Sequence, residues 1–306
     1  MSLTLILEQV LNGLQLGVML FLMAAGLTLV FGVMGLINLA HGSLFMIGAF
    51  LCASVAGWSG SFWLGLLAGF VGAAFAGAII EVVVIRRLYD RDHLDQVLAT
   101  FALILIFSEG TRYLFGPRPL YLDLPESLNG SLSIFGWFEY PVYRLGIIVV
   151  GIAMAVGLYL LISKTRIGMQ IRAGEADREM ISALGVDIRF LYTLVFALGA
   201  AIAGLAGALV GALQSVQVGM GEPVLILAFV VIVIGGIGSI KGALIGAILV
   251  GLVDTLGRVF LPKLFSLVLD PSTATTVGAS LSSVAIYLLM AAILLWRPKG
   301  LFALHA

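Results

Sequence analysis

The sequence predicts an all-α membrane protein, a bundle of about eight or nine helices that cross the bilayer, with room for broken or half-membrane segments. Hydrophobic residues make up 61% of the chain and charged residues only 10%, and mean hydropathy is +1.18, whereas about 25% of the residues in soluble domains are charged. Long apolar runs recur throughout, and the strand-like alternation typical of a transmembrane barrel is absent. We therefore expect one membrane domain over residues 1–306.

Nine apolar stretches approach the roughly 20 residues that a helix needs to cross a bilayer. The seventh is short, so a half-membrane segment there would lower the number of spans. The predicted spans are 8–34, 40–58, 61–85, 96–115, 142–163, 190–213, 222–236, 242–261 and 276–296.

Basic residues predict the orientation, because cytoplasmic loops are enriched in Lys and Arg. If nine spans alternate, the loops with most of the basic residues share one face, which places the C-terminus in the cytoplasm and the N-terminus outside. No Lys or Arg precedes Arg86, so the first span lacks the basic region of a cleaved signal peptide and is expected to be retained. The residues that fix this face are Arg86, Arg87, Arg91, the segment 164–189, Lys241, Arg297 and Lys299.

A polar interruption, INLAHGS (Ile37–Ser43), separates the first two spans. Asn38, His41, Gly42 and Ser43 are candidates for the translocation path, because a helix broken inside a membrane is tolerated only beside protein or water. The alternative is a tight cytoplasmic turn, with Asn38 as the N-cap of the second span.

A related pattern, GGIGSIKGA (Gly235–Ala243), interrupts the second half of the chain. In both places an Ile-Gly-Ala triplet follows within the next span, and paired glycine-interrupted spans are typical of transport pathways. Gly236 and Ser239 therefore join the path candidates. The run is not a phosphate-binding loop, since no Ser or Thr follows the Lys and its spacing is wrong.

The segment from Lys164 to Arg189 is too charged to lie in hydrocarbon. We expect a short helix from Gly174 to Leu184, ended by Gly185, in a cytoplasmic coupling loop that docks a soluble partner. A solvated linker is the alternative. The candidate contact residues are Arg172, Glu175, Asp177, Glu179 and Gly185.

Three acids near span ends have basic neighbours at helical spacing. Glu109 is expected to pair with Arg112. Glu81 and Asp254 are intramembrane candidates for a transport role, with Arg86 and Arg258 as partners that would make them structural instead. Gly199, Gly204, Gly207 and Gly211 predict close helix packing in the sixth span.

Other classes of function lack support in the sequence. The histidines His41, His93 and His305 form no metal-binding spacing with Cys or carboxylates, so no metal or cofactor is expected, and no nucleophile motif indicates an enzyme. A net charge of zero argues against nucleic acid, and the single Cys52 allows no disulfide within the chain.

Several motifs in order resemble the permease subunit of branched-chain amino-acid ABC importers. They are INLAHGSLFMIGAF, Gly185 within the charged loop, AGLAGAL (Ala203–Leu209), GGIGSIKGALIGA and RPKGLF (Arg297–Phe302), and they cover essentially the whole chain. The loop also resembles the EAA loop of importer permeases, with Glu179 six residues before Gly185. Met180 and Ile181 replace the two alanines, and the Leu-Pro ending is absent.

The resemblance implies an importer subunit of the bacterial inner membrane that moves leucine, isoleucine or valine. It implies a second related permease subunit, normally in a heterodimer, two cytoplasmic ATPases that supply ATP hydrolysis, and a periplasmic binding protein. The same architecture could carry urea, short amides or other amino acids. An autonomous channel or carrier and an intramembrane enzyme are the alternatives of other classes.

Overall fold

The computed structural model describes residues 3–134, 136 and 138–302. Within these residues the chain forms eleven α-helices and one two-stranded antiparallel hairpin, and a 3₁₀ turn (Ile85–Arg87) extends the third helix. The helices are α1 (Leu3–Met34), α2 (His41–Ser59), α3 (Phe62–Val83), α4 (His93–Phe115), α5 (Val142–Lys164), α6 (Arg166–Ala176), α7 (Arg178–Ala183), α8 (Ile188–Gly211), α9 (Gly221–Gly235), α10 (Ile240–Phe265) and α11 (Pro271–Trp296).

The predicted fold class is confirmed. Eight helices in the described ranges are long and apolar enough to cross a membrane, namely α1 to α5, α8, α10 and α11. The seventh predicted span is α9, an apolar helix of 15 residues. At 1.5 Å per residue it is only about 22 Å long, which falls short of a hydrocarbon core about 30 Å thick.

Contacts divide the chain into two compact units. One contains Met1–Phe21, Glu126–Ala153 and Ala228–Ala306, and the other contains Leu22–Pro125 and Met154–Leu227. The expectation of one domain over residues 1–306 stays a prediction.

In the second of these units, α2, α3 and α8 pack through glycines. A Cβ on Gly48 would collide with the main chain of Gly204, and a Cβ on Gly207 would collide with the main chain of Phe45. A Cβ on Gly69 would likewise lie 2.7 Å from the carbonyl oxygen of Gly48. Small residues allow such close approach where no hydrophobic effect drives helices together, so the predicted packing role of the α8 glycines is confirmed.

The other unit joins the first part of α1 to α10, and α10 to α11. A Cβ on Gly251 would collide with the main chain of Gly13, and Gly278 lies against Pro262. Asp270 caps the start of α11, and its side chain accepts a hydrogen bond from the Thr273 amide. This cap satisfies one of the amides that have no partner at a helix start.

The long segment before α5 contains the hairpin, β1 (Ser131–Ile134) and β2 (Phe138–Pro141). Nearer to α4, the same segment forms a β-bridge in which Leu120 and Val216 exchange main-chain hydrogen bonds of 2.9 and 2.8 Å. This bridge places the ends of α4 and α8 on the same side of their unit. Trp137 and His305 lie outside the described residues.

Candidate functional site

The INLAHGS segment is a genuine break between helices. The helix α1 ends at Met34, Gly35 takes a positive φ of 65°, and α2 begins at His41. Asn38 and His41 are both fully buried. The proposal that Asn38 caps α2 is wrong, because Ala40 occupies the cap position without a side-chain hydrogen bond and the Asn38 amide has no partner among the described residues.

The buried His41 lies deep along the helices. Its Nε2 would be 2.9 Å from a Cβ on Gly26, and Gly26 precedes the end of α1 by about 12 Å of helix. Residues 35–40 therefore run back along α1 before α2 starts.

The helix α8 gives the depth of His41 in the bilayer. From Thr193 to Gly211 it extends about 27 Å, close to the thickness of a hydrocarbon core. Gly26 lies against Gly199, and Phe45 lies against Gly207. His41 therefore sits between these two levels, near the middle of the span, where a polar side chain without partners is costly.

The start of α9 meets the start of α2 at this depth. A Cβ on Gly42 would lie 2.9 Å from the carbonyl oxygen of Gly221 and 3.3 Å from the Leu225 Cβ. Two helices thus begin side by side inside the membrane-spanning part of the unit. The amides of His41, Ser43 and Glu222 already donate to nearby backbone carbonyls. The partial positive charge of the two helix N-termini remains, so their meeting point favours an anionic group.

Glu222, the second residue of α9, is a candidate that sequence analysis missed. It neighbours Gly221 at the same depth, but its side chain is exposed. The face that α9 buries contains Gly221 and Leu225, whereas Glu222 and Ile226 lie on the exposed face. The sequence places Glu222 at the edge of an apolar run, where it looks like a residue at the membrane surface.

The second glycine-rich motif has a different geometry. Gly236 and Gly238 have positive φ values of 102° and 84° in a tight turn between α9 and α10, and Gly235 lies against Gly242. Ser239 caps α10 by accepting a hydrogen bond of 3.1 Å from the Gly242 amide. Gly236 and Ser239 thus shape a helix hairpin, and their place in the path stays a prediction.

The prediction of one continuous helix from Gly174 to Leu184 is wrong. The loop contains α6 and α7, separated at Asp177, whose backbone is extended with φ −156° and ψ 107°. The Asp177 carboxylate accepts a hydrogen bond of 2.9 Å from the Met180 amide. Asp favours such N-caps over helix interiors because its side chain competes for backbone amides. Gly185, with φ 87°, follows α7 as predicted.

The charged loop packs on α8 through apolar residues, and most of its polar side chains are exposed. Ile171 and Ile181 are buried, and Gly174 contacts Leu191. The predicted contacts Arg172, Asp177, Glu179 and Gly185 are exposed, and Glu175 is half-buried. An open groove of about 650 Å³ is lined by Arg178, Glu179, Ser182, Ala183, Ile188 and Arg189. The loop therefore has helical structure and an apolar anchor, and its role in docking a partner stays a prediction.

Arg178 connects this loop to the end of α1. Its Nη2 donates a hydrogen bond of 2.8 Å to the Met34 carbonyl, one of the last carbonyls of α1. Its guanidinium lies 5.9 Å from the centroid of the buried Tyr192 ring. A cation at a helix C-terminus is favourable because carbonyls there lack helical partners. The loop is thus bonded to the residue from which the broken segment starts.

A buried hydrogen-bond network around Glu81 links α3, the segment that follows it and α8. Glu81 is fully buried and accepts hydrogen bonds from Arg86, from the Thr193 hydroxyl at 2.6 Å and from the Tyr89 hydroxyl at 2.7 Å. Burial and the bond to Glu81 raise the pKa of Tyr89, which stays a donor. Tyr89 in turn packs edge-on against Tyr192.

The predicted ion pairs are confirmed. Arg86 pairs with Glu81 at 3.0 Å, Arg258 with Asp254 at 2.8 Å and Arg112 with Glu109 at 2.7 Å. The first two pairs give Glu81 and Asp254 structural partners. Over residues 3–134, 136 and 138–302, no group of His, Cys, Asp and Glu could hold a metal ion.

Broken helices that meet at mid-depth, together with a charged loop outside the bilayer, define a subunit of a membrane transporter. Residues 9–295 match the family model described as branched-chain amino acid transport system / permease component. The chain belongs to this family.

Curated relatives cover most of the chain. It is 31% identical to the high-affinity branched-chain amino acid transport system permease protein BraD of Pseudomonas aeruginosa, over 96% of this chain and 95% of BraD. It is 32% identical to LivH of Escherichia coli, a permease protein of the same description, over 83% of this chain and 87% of LivH. The chain is 26% identical to the ribose import permease protein RbsC of E. coli, over 76% of this chain and 72% of RbsC. No solved structure gives a significant match.

Proposed function

We propose that this chain is a membrane subunit of an ATP-binding-cassette importer that forms part of the path for leucine, isoleucine and valine across the bacterial inner membrane. The observation that carries the proposal is the pair of helix starts at His41 and Gly221 inside the membrane. Such starts provide two partially positive helix ends for a substrate carboxylate at a depth where lipid offers no polar group. Membership in the permease family supports the same function.

The substrate class follows from the relatives. BraD and LivH are described as branched-chain amino acid permease proteins, and both are more similar to this chain than the ribose permease is. Urea, short amides and other amino acids are the alternatives of the same architecture. Because a permease provides a path, ATP hydrolysis belongs to separate subunits.

Three kinds of partner complete the proposed transporter. Two cytoplasmic ATPases supply ATP hydrolysis, and one of them docks on α6, α7 and the groove beside them. A second related permease subunit completes the path in a heterodimer, and a periplasmic binding protein delivers the amino acid. The docking assignment is supported by the exposed charges on a loop that is anchored to α8. Glu179 in the groove is a direct contact, so Glu179→Arg should reduce the amount of ATPase that co-purifies.

The proposed orientation places the N-terminus outside and the C-terminus and charged loop in the cytoplasm. A membrane-impermeant thiol reagent applied to intact cells should miss Arg172→Cys and label Ser131→Cys on the exposed hairpin. Labelling of position 172 before lysis would reverse the orientation.

The function is tested by ATP hydrolysis in the complete complex. The permease pair and its ATPases are reconstituted and given purified binding proteins from the same organism, each with a panel of amino acids, urea and ribose. We expect hydrolysis to rise with a binding protein that carries leucine, isoleucine or valine. Stimulation by urea or ribose alone, or by no binding protein at all, would refute the proposal.

A further inference from the structure

We infer that the Glu222 carboxylate receives the ammonium group of the amino acid while it crosses the membrane. The inference rests on the proposed function and adds to it one residue of the path. It starts from an exposed acid at a depth where exposure to lipid is excluded.

The geometry around Glu222 fixes that depth. Gly221 lies against Gly42, and His41 lies against Gly26 between the levels of Gly199 and Gly207. Glu222 is therefore near the middle of the span. Its carboxylate has no hydrogen bond or ion pair within the described part of the chain, and the residue is exposed.

An ionised carboxylate that faces hydrocarbon at the bilayer centre is strongly unfavourable. Glu222 must therefore face water, a substrate or a partner subunit. We favour the path over a subunit contact because the Asn38 side chain, just before the α2 start, is buried and has no hydrogen-bond partner among the described residues. Retention of the second subunit by the variants tests the other possibility. The observations therefore favour a water-filled path.

The surroundings fit a zwitterionic branched amino acid. The α2 and α9 starts offer partial positive charge for its carboxylate, Glu222 offers a charge-assisted hydrogen bond to its ammonium, and Ile226 is exposed one turn further along the same face. An aliphatic side chain can contact Ile226 while the charged groups remain near the helix starts.

The test uses the full complex in proteoliposomes, with radiolabelled leucine and its binding protein at saturation. Glu222→Gln should lower the rate of uptake roughly tenfold, as expected for the loss of a charge-assisted bond, whereas Glu222→Asp should retain part of it. Glu109→Gln is the matched control, since Glu109 is an exposed acid at the end of α4 and pairs with Arg112. It should transport at the wild-type rate.

Charge restoration separates a path residue from a structural one. In a Cys52→Ala background, Glu222→Cys is modified with a methanethiosulfonate that adds either a sulfonate or a trimethylammonium group. The sulfonate should restore uptake several-fold over the unmodified variant, and the trimethylammonium should not.

Several results would overturn the inference. They are wild-type uptake by Glu222→Gln, equal effects of the two reagents, and no reaction of Glu222→Cys with either reagent. Loss of the second permease subunit from the purified Glu222→Gln complex would also overturn it, because the carboxylate would then serve assembly. If the wild-type complex itself fails to transport leucine, the proposed function fails, which is a distinguishable outcome.

Discussion

Gly42 tests how the two helix starts meet. In Gly42→Ala the new methyl group would lie 2.9 Å from the Gly221 carbonyl oxygen and 3.3 Å from the Leu225 Cβ. The main-chain carbonyl cannot rotate away, so α2 and α9 must move apart, and overpacking of this kind costs about 1–3 kcal/mol. Better helix propensity returns up to about 1 kcal/mol. We expect a net loss of about 1 kcal/mol or more.

Gly57 provides the control in the same helix. A Cβ there meets nothing within 4 Å, so Gly57→Ala should be neutral or slightly stabilising. The assay measures the midpoint of thermal denaturation of the purified complex and leucine uptake per assembled complex. Gly42→Ala should lower both and Gly57→Ala neither. Equal behaviour of the two variants would refute the close contact between α2 and α9.

Three further predictions concern the charged loop and α11. The complex with Arg178→Gln should still bind its ATPase, but it should transport about two- to fivefold less substrate per ATP hydrolysed, because the partly exposed hydrogen bond to α1 is lost. Arg166→Gln, at the first position of α6, is the control and should transport as much substrate per ATP as wild type. Gly185→Val puts a β-branched residue at φ 87°, which costs about 1–2 kcal/mol and should reduce ATPase co-purification. Hydrogen bonds from Ser272 and Thr273 lower the pKa of Asp270 from 3.8 to about 2. The ionised Asp270 therefore stabilises the folded protein above about pH 4, and this stabilisation is lost as pH falls below about 4. Thermal denaturation should show wild type losing stability relative to Asp270→Asn only in that acidic range.

The positions of the helices could be predicted from the sequence because each span needs a long apolar run. The nine predicted stretches agree with α1 to α5 and α8 to α11 within a few residues. Local charge pairs were equally accessible, since Glu81 and Arg86, or Asp254 and Arg258, are close in sequence. Gly185 was recognisable because only glycine takes a positive φ at little cost.

Depth and exposure could not be predicted, because they depend on contacts between distant segments. The sequence leaves open whether His41 lies at the surface, and only its contact with Gly26 places it inside. Glu222 was missed for the same reason. The split at Asp177 was missed because a charged, polar segment has no apolar period to mark where one short helix ends and another begins.

The central claim, that the chain is part of an ATP-driven importer of branched-chain amino acids, is tested most directly by uptake into sealed proteoliposomes. The vesicles contain both permease subunits and the ATPases, with ATP inside and loaded binding protein outside. The account predicts that leucine accumulates inside against its gradient, and that accumulation requires both ATP and the binding protein. Equilibration of leucine without ATP would contradict it and indicate a channel or carrier.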